Sequence, residues 1–315
     1  MTKAVPSNIA ASVKQRLLNR ARERKEDFNL LLTKYGLERI LYRIGHSKYK
    51  DSFVLKGALL FELWTEQQYR PTRDADFLSN GDNNPERYQQ IFEEMCDMKV
   101  EDDGVRFDRN TVRVEKIKED QDYEGLRVTF TGFLEAARLP VQIDIGFGDA
   151  VTPNPVETNF PTLLPNPAPR LLSYPRETVI AEKFQAMVQL GIANTRMKDF
   201  HDLKTLSELF DFESRPLADA IQRTFERRKT ALPVDEAPTA LTSEFYANTT
   251  KVAQWNAFIL KNKLYIQPSS LESVTESIRE FVMPLMRTEI LNGGRRLRWE
   301  PSKSWVAVGS DQPSS

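Results

Sequence analysis

Only one cysteine, Cys96, and two histidines, His46 and His201, occur in 315 residues. One cysteine excludes an internal disulfide and every thiolate-rich metal site. Two histidines exclude a multi-histidine zinc centre. No run of about eighteen apolar residues is present, so a spanning helix and a membrane partner are not expected. The opening Met1-Thr2-Lys3-Ala4-Val5-Pro6 lacks the apolar centre of a signal peptide, which makes a cytoplasmic location the expectation. An excess of one charge is missing too. The net charge is −1, so a nucleic-acid partner would have to be attracted by a local patch. Arg223, Arg227, Arg228 and Lys229 offer one such patch, and Arg295, Arg296 and Arg298 beside Trp299 another; both read equally well as solvated faces. Carboxylates are what the chain has in quantity, and they suit a hard, oxygen-liganded ion. The 40% apolar and 28% charged fractions are those of an ordinary globular protein, and the length allows two domains or one core with helical additions.

Periodicity gives the organisation. Apolar residues at Val13, Leu17 and Leu18, then at Phe28, Leu31, Leu37, Ile40, Leu41 and Ile44, predict two helices over 7–45. Phe53-Val54-Leu55 reads as a short strand ending at Gly57, residues 59–64 as a helix, and Ala75-Asp76-Phe77-Leu78 as the next strand. Turn residues from Asn80 to Pro85 close that strand, and a helix over 85–98 follows with Pro85 in its first turn. Residues 111–117, 125–133 and 141–147 read as strands. Seven prolines between 152 and 175 predict an extended crossing segment or a domain boundary. Helices are then expected over 176–190, 197–210, 215–229, 240–262 and 271–291, and a poorly anchored tail over 293–315. The expected division is N-terminal helices over 1–45, an α+β core over 46–175, a helical C-terminal domain over 176–292, and the tail.

The chemistry is concentrated in a few short stretches. Lys56-Gly57-Ala58 is a small-residue turn between strand and helix, where backbone N–H groups can approach a phosphate. Arg73-Asp74-Ala75-Asp76-Phe77 follows. Residues i and i+2 of a strand share a face, so Asp74 and Asp76 project together. Two carboxylates held together repel unless a cation sits between them, and a magnesium ion that also grips nucleotide phosphates suits that place. A third acid, Asp144, lies between Ile143 and Ile145 in a strand that otherwise reads as buried. Either it faces solvent at a strand end or it has a cationic partner. Pairing of its strand with 75–78 would bring it beside Asp74 and Asp76, and three carboxylates can hold two magnesium ions. Acids that merely cap strands beside arginines are the plain alternative.

A second cluster lies in the helical half. Lys183 shares a turn with Ile180, Phe184 and Met187; it either snorkels or reaches the triphosphate of a bound nucleotide. Asp199 and Asp202 share a helix face at i, i+3, and Lys198 with Asp202 forms an i, i+4 pair. Arg196, Lys198, Asp199 and Asp202 crowd beside Phe200 and Leu203, a mixture more typical of a site than of a plain surface.

Five stretches taken in order resemble the AbiEii/AbiGii toxin family of nucleotidyltransferases, within the DNA-polymerase-β-like superfamily. They are Leu55-Lys56-Gly57-Ala58-Leu59-Leu60, Arg73-Asp74-Ala75-Asp76, Ile143-Asp144-Ile145, Ala181-Glu182-Lys183-Phe184-Gln185-Ala186-Met187 and Arg196-Met197-Lys198-Asp199-Phe200-His201-Asp202-Leu203. The resemblance implies a minimal nucleotidyltransferase mixed sheet flanked by helices, with a helical C-terminal region contributing to the active site. It implies Mg2+ as cofactor, a nucleoside triphosphate as substrate, and a bacterial toxin–antitoxin or phage-defence role with a cognate antitoxin as partner. Some members add nucleotides to the tRNA 3′ end, so tRNA or another RNA is the implied acceptor; a protein acceptor and a non-catalytic scaffold are the alternatives. Carried over by position, Asp74, Asp76 and Asp144 are the expected metal ligands, and Asp74, Asp76, Lys183, Asp199 and Asp202 the expected catalytic residues. Lys56, Gly57, Ala58, Arg73, Lys183, Arg196 and Lys198 are the expected nucleotide contacts. Ala58 stands where the family usually has Gly or Ser, so a hydroxyl that could touch a phosphate is missing. His201 stands where tyrosine is common. Asp74→Ala or Lys183→Ala is expected to abolish nucleotide transfer without unfolding the chain.

Overall fold

The computed structural model describes residues 8–65, 72–120, 123–262, 269–301 and 303–308. The opening six residues, where the signal-peptide reading falls, and the tail beyond 308 lie outside the described residues. The chain divides into two compact units, Met1–Asp149 with Val156–Tyr174, and Ala150–Pro155 with Pro175–Ser315. The N-terminal helices thus belong to the first unit rather than forming a segment of their own.

The first unit is built on a mixed seven-stranded sheet. Its strands are β1 (Phe53–Lys56), β2 (Ala75–Ser79), β3 (Val105–Asp120), β4 (Tyr123–Leu134), β5 (Ala137–Phe147), β6 (Val156–Asn159) and β7 (Arg170–Ser173), in the order β3-β4-β5-β2-β1-β7-β6. β2 pairs parallel with β5 and antiparallel with β1, and β1 pairs parallel with β7. The short central strands are almost wholly buried, as strands covered on both faces must be. The unit's helices are α1 (Ile9–Arg24), α2 (Phe28–His46), α3 (Leu59–Thr65) and α4 (Pro85–Cys96). Asn84 caps α4 by accepting from the backbone N–H groups of Glu86 and Arg87, with Pro85 opening the helix. The rings of Tyr88 and Phe92 meet Phe53 edge-on, and Phe53 meets Phe77 the same way.

The proline-rich segment does more than cross. β6 and β7 lie inside it, each flanked by prolines that end a strand without interrupting one, and β7 joins the central sheet. Charged residues of the buried helix α2 hold the loop between them. Glu38 accepts from the Leu163 N–H at 2.6 Å and pairs with Arg39 at 2.8 Å, and Arg39 donates to the Pro167 carbonyl at 3.1 Å. Burial pushes the Glu38 carboxyl up to about 7, against the pull of Arg39. A carboxyl raised in the folded state stabilises below its ordinary value of 4.5, and that contribution is lost as pH rises through about 7. Urea unfolding of the wild type is therefore expected to show roughly 1–3 kcal/mol lost between pH 4.5 and 8. Glu38→Gln should flatten that slope, and an unchanged slope would refute the assignment.

The second unit contains α5 (Arg176–Leu190), α6 (Met197–Leu209), α7 (Ser214–Arg227), α8 (Ser243–Tyr246), α9 (Thr249–Asn262), α10 (Leu271–Val282) and α11 (Thr288–Leu291). The helix expected over 240–262 breaks into α8 and α9 around Asn248, whose side chain accepts from the N–H groups of Thr250 and Lys251. The one expected over 271–291 is interrupted by a 3-10 turn at Met283–Met286 that contains Pro284. The poorly anchored tail is also corrected. Leu297–Trp299 and Trp305–Ala307 form strands β9 and β10, which join β8 (Phe212–Glu213) in a three-stranded sheet. The Trp299 indole is buried and donates to the Ser207 carbonyl, and Trp305 stacks parallel on Phe281. The architecture is α+β, a mixed sheet with flanking helices and a mainly helical C-terminal unit.

Candidate active site

In the first unit three strands bring the predicted acids together. The antiparallel β1–β2 register places Lys56 opposite Asp76, and the parallel β2–β5 register places Asp76 opposite Asp144. Asp74 stands one residue before β2, and the Thr72 hydroxyl donates to its Oδ1 at 2.6 Å. Directly opposed residues share a sheet face, so the strand pairing that would unite Asp144 with Asp76 is the one formed.

Gly57 explains why no larger residue could end β1. Its φ is +77°, in the left-handed region, and a Cβ there would lie 1.9 Å from Asp76 Oδ2. The carboxylate rests in the space a side chain would fill. Gly57→Ala is expected to cost roughly 1–3 kcal/mol in urea unfolding through backbone strain, besides pushing the Asp76 carboxylate aside. An alanine variant as stable as wild type would show that the carboxylate does not sit there. Ala58, next to it, is buried. Lys56 is buried and its Nζ lies 3.4 Å from Asp149, while Arg73 is exposed.

The alternatives left open for Asp144 resolve in favour of a cationic partner. Arg127 on β4 stands opposite it, with Nε 2.8 Å from Oδ1 and Nη2 2.7 Å from Oδ2. The hydrogen bonds to Asp144 raise Arg127 above the ordinary guanidinium value, against a smaller effect of burial, and the charges of Asp144, Asp74 and Glu115 add to the rise. Sequence reasoning missed this arginine. Its signal was present as a lone cation in the alternating run 125–133, but only the register assigns it to Asp144.

Among the described residues, no group of three or more His, Cys, Asp or Glu side chains is placed to hold a metal ion unaided. That does not conflict with the donor set. Magnesium is typically held by one or two carboxylates and completes its octahedron with water and substrate phosphates. Asp74, one residue before β2, and Asp76, two positions on, supply oxygen donors that fit a divalent cation shared with a substrate, whereas Asp144 is committed to a guanidinium.

The second unit gathers the other cluster. Lys183 of α5 does not snorkel to solvent; its Nζ lies 2.6 Å from Asp199 and 2.9 Å from Asp202 on α6. Both carboxylates are fully buried and the lysine nearly so. Arg196 completes the group, its Nε 2.8 Å from Asp199 Oδ2. The i, i+4 pair expected between Lys198 and Asp202 is not formed: Lys198 is exposed, and Asp202 turns inward to Lys183. Burial alone would lower the Lys183 pKa, but Asp199 and Asp202 outweigh it and raise it. Burial would likewise raise Asp199, but Lys183 and Arg196 hold it below the usual carboxylate range. His201 is buried edge-on against Phe258, with Nδ1 3.9 Å from Asp202.

Residues 39–279 match the family model described as the nucleotidyl transferase AbiEii toxin of type IV toxin–antitoxin systems. A search of curated proteins gives no match. Among solved structures, the chain is similar to JHP933 from Helicobacter pylori at 15% identity and a TM-score of 0.48, over 84% of this chain and 94% of that one. It is also similar to an H. pylori protein described as a candidate nucleotidyltransferase, at 14% identity and a TM-score of 0.46, over 82% and 95%.

Proposed function

Because the chain belongs to the AbiEii nucleotidyltransferase toxin family of type IV toxin–antitoxin systems, we propose that it transfers a nucleoside monophosphate from a triphosphate to an RNA acceptor, foremost the tRNA 3′ end. The observation that carries this reading is the Asp76 carboxylate seated against Gly57, in register with Asp144 and two residues from Asp74. That juxtaposition of like charges at a glycine turn has an evident use when a divalent ion and phosphates are bound.

Asp74 and Asp76 are the residues that would hold magnesium. A magnesium ion there would supply positive charge to the triphosphate and would acidify the attacking hydroxyl. The backbone at Gly57 and Ala58 leaves room for a phosphate to approach, and Lys56 and Arg73 add positive charge on either side of the acids. The acceptor hydroxyl attacks the α-phosphorus, the bond to pyrophosphate breaks, and the hydroxyl proton passes to a carboxylate or to water. Asp144 is best able to serve as metal ligand or as that base when Arg127 lets go of it, since the fork draws on both of its oxygens. Lys183, Arg196 and Lys198 are proposed as nucleotide contacts, with Asp199 and Asp202 the acids that orient Lys183 and Asp199 also orienting Arg196. The biological setting proposed is a toxin, active against translation or in phage defence, restrained by a cognate antitoxin protein.

Incubation of the protein with each labelled triphosphate, magnesium and total tRNA tests the reading. Label that RNase removes and protease does not is expected. Label that protease alone removes would move the acceptor to protein, and no labelled product with any triphosphate would overturn transfer to RNA.

A further inference from the structure

Five charged residues form a single row across the sheet. In strand order they are Glu115 on β3, Arg127 on β4, Asp144 on β5, Asp76 on β2 and Lys56 on β1, each directly opposite the next. Such residues share one face. The two carboxylates at the centre are neighbours, and each has a cation on its outer side. The Arg127–Asp144 contact is a two-bond fork, the geometry in which guanidinium grips carboxylate or phosphate best. Gln142 Nε2 adds weaker contacts to the same carboxylate at 3.4 and 3.5 Å. The arginine is the outer partner: its side chain is 39% exposed and that of Asp144 12%. An anion arriving from solvent meets Arg127 first.

We propose that Arg127 is an anion-released lock on Asp144. It holds the third carboxylate away from the metal ligated by Asp74 and Asp76 until a substrate phosphate takes over the guanidinium. Arg127 is therefore a phosphate-binding residue as well as a positioning residue, and Asp144 becomes available only when the triphosphate is present. The fork to Asp144 uses Nε and Nη2; a phosphate that takes those same two donors displaces Asp144, so phosphate binding and metal affinity are coupled, and the coupling acts in both directions. In the free protein Arg127 is committed to Asp144 and Lys56 Nζ lies 3.4 Å from Asp149, so the Asp144 charge is withheld and a divalent ion is bound weakly. With phosphate on Arg127, Asp144 adds its charge to the ion site. The inference rests on the proposed role of Asp74 and Asp76.

Two measurements test it. The first is manganese binding followed by electron paramagnetic resonance without nucleotide, in the wild type, Arg127→Gln, Arg127→Gln/Asp144→Asn and Asp76→Asn. Arg127→Gln is expected to bind manganese about tenfold more tightly than wild type, within the usual range for two coupled sites. The double variant should lose that gain. The second uses metal-free wild-type protein. The Arg127 side-chain Nε–H resonance, identified by its absence in Arg127→Lys, should shift on addition of α,β-methylene nucleoside triphosphates. It does not depend on the folding of Arg127→Gln. Manganese binding that survives in Asp76→Asn would overturn the metal site itself. If Asp76→Asn abolishes binding, then unchanged affinity in folded Arg127→Gln, or an Arg127 resonance that stays put at saturating triphosphate, would overturn the lock alone.

Discussion

Asp76→Asn abolishes nucleotide transfer while leaving the melting temperature at or above that of the wild type: this is the expected result with the largest effect on activity. Asparagine keeps the shape that fills the space over Gly57. It removes one of two negative charges on directly opposed residues, Asp76 and Asp144, so folded-state repulsion falls. What is lost is charge for a divalent ion. A bound metal supplies several kcal/mol of transition-state stabilisation, so a deficit on the order of 10³-fold in transfer rate is expected. Single-turnover transfer from labelled triphosphate, paired with calorimetry, measures both quantities. A variant that labels RNA at the wild-type rate would remove Asp76 from the chemistry. One that fails to fold would show that the carboxylate is structural.

The contrast between what was and was not legible in the sequence follows the range of the interactions. β1, β2 and the helix at 85–96 could be read because their signals are local: a buried run, a turn-rich break, Pro85 beside a capping Asn84. The shared face of Asp199 and Asp202 was likewise legible from their spacing on α6. Their common partner was not, because Lys183 reaches them from another helix and the local i, i+4 rule pointed to Lys198 instead. Asp144 shows the same limit. Its isolation between β-branched residues announced that a partner or solvent was needed, but its pairing with Arg127 and Asp76 depends on the order β4-β5-β2, which no local pattern encodes. The strands missed are the short ones, β6, β7, β8, β9 and β10, of two to four residues each. Such segments carry too few alternations to announce themselves; here they are fixed by neighbours and, in β9, by the burial of Trp299.

Lys183→Met is expected to show the largest effect on stability, which corrects the expectation that loss of this lysine would leave the fold intact. Asp199 and Asp202 are fully buried, and Lys183 is the cation both share. Removing one partner of a buried ion pair leaves uncompensated charge and costs about 3–5 kcal/mol. At this chain length that lowers the melting temperature by roughly 5–8 °C. The pH dependence has a definite sign. Asp199, lowered in the folded state, stabilises above its ordinary value of 3.8 and loses that contribution as pH falls through its folded value. Lys183, raised in the folded state, stabilises below its ordinary 10.5 and loses it as pH rises through its own folded value. Between those limits the wild-type Lys183–Asp199 pair stays ionised, whereas in Lys183→Met burial pushes the Asp199 carboxyl, without its lysine, up, so the deficit should grow as pH rises from 5. Neutralising the acids as well, in Lys183→Met/Asp199→Asn/Asp202→Asn, should recover much of the lost stability, because a buried ion cluster is replaced rather than broken. The same triple variant separates architecture from chemistry. If it folds and still fails to transfer nucleotide, the cluster acts on substrate; if it folds and transfers at the wild-type rate, these three residues hold α5 against α6 and nothing more. A Lys183→Met single variant that melts with the wild type would show that Asp199 and Asp202 are not charged at all.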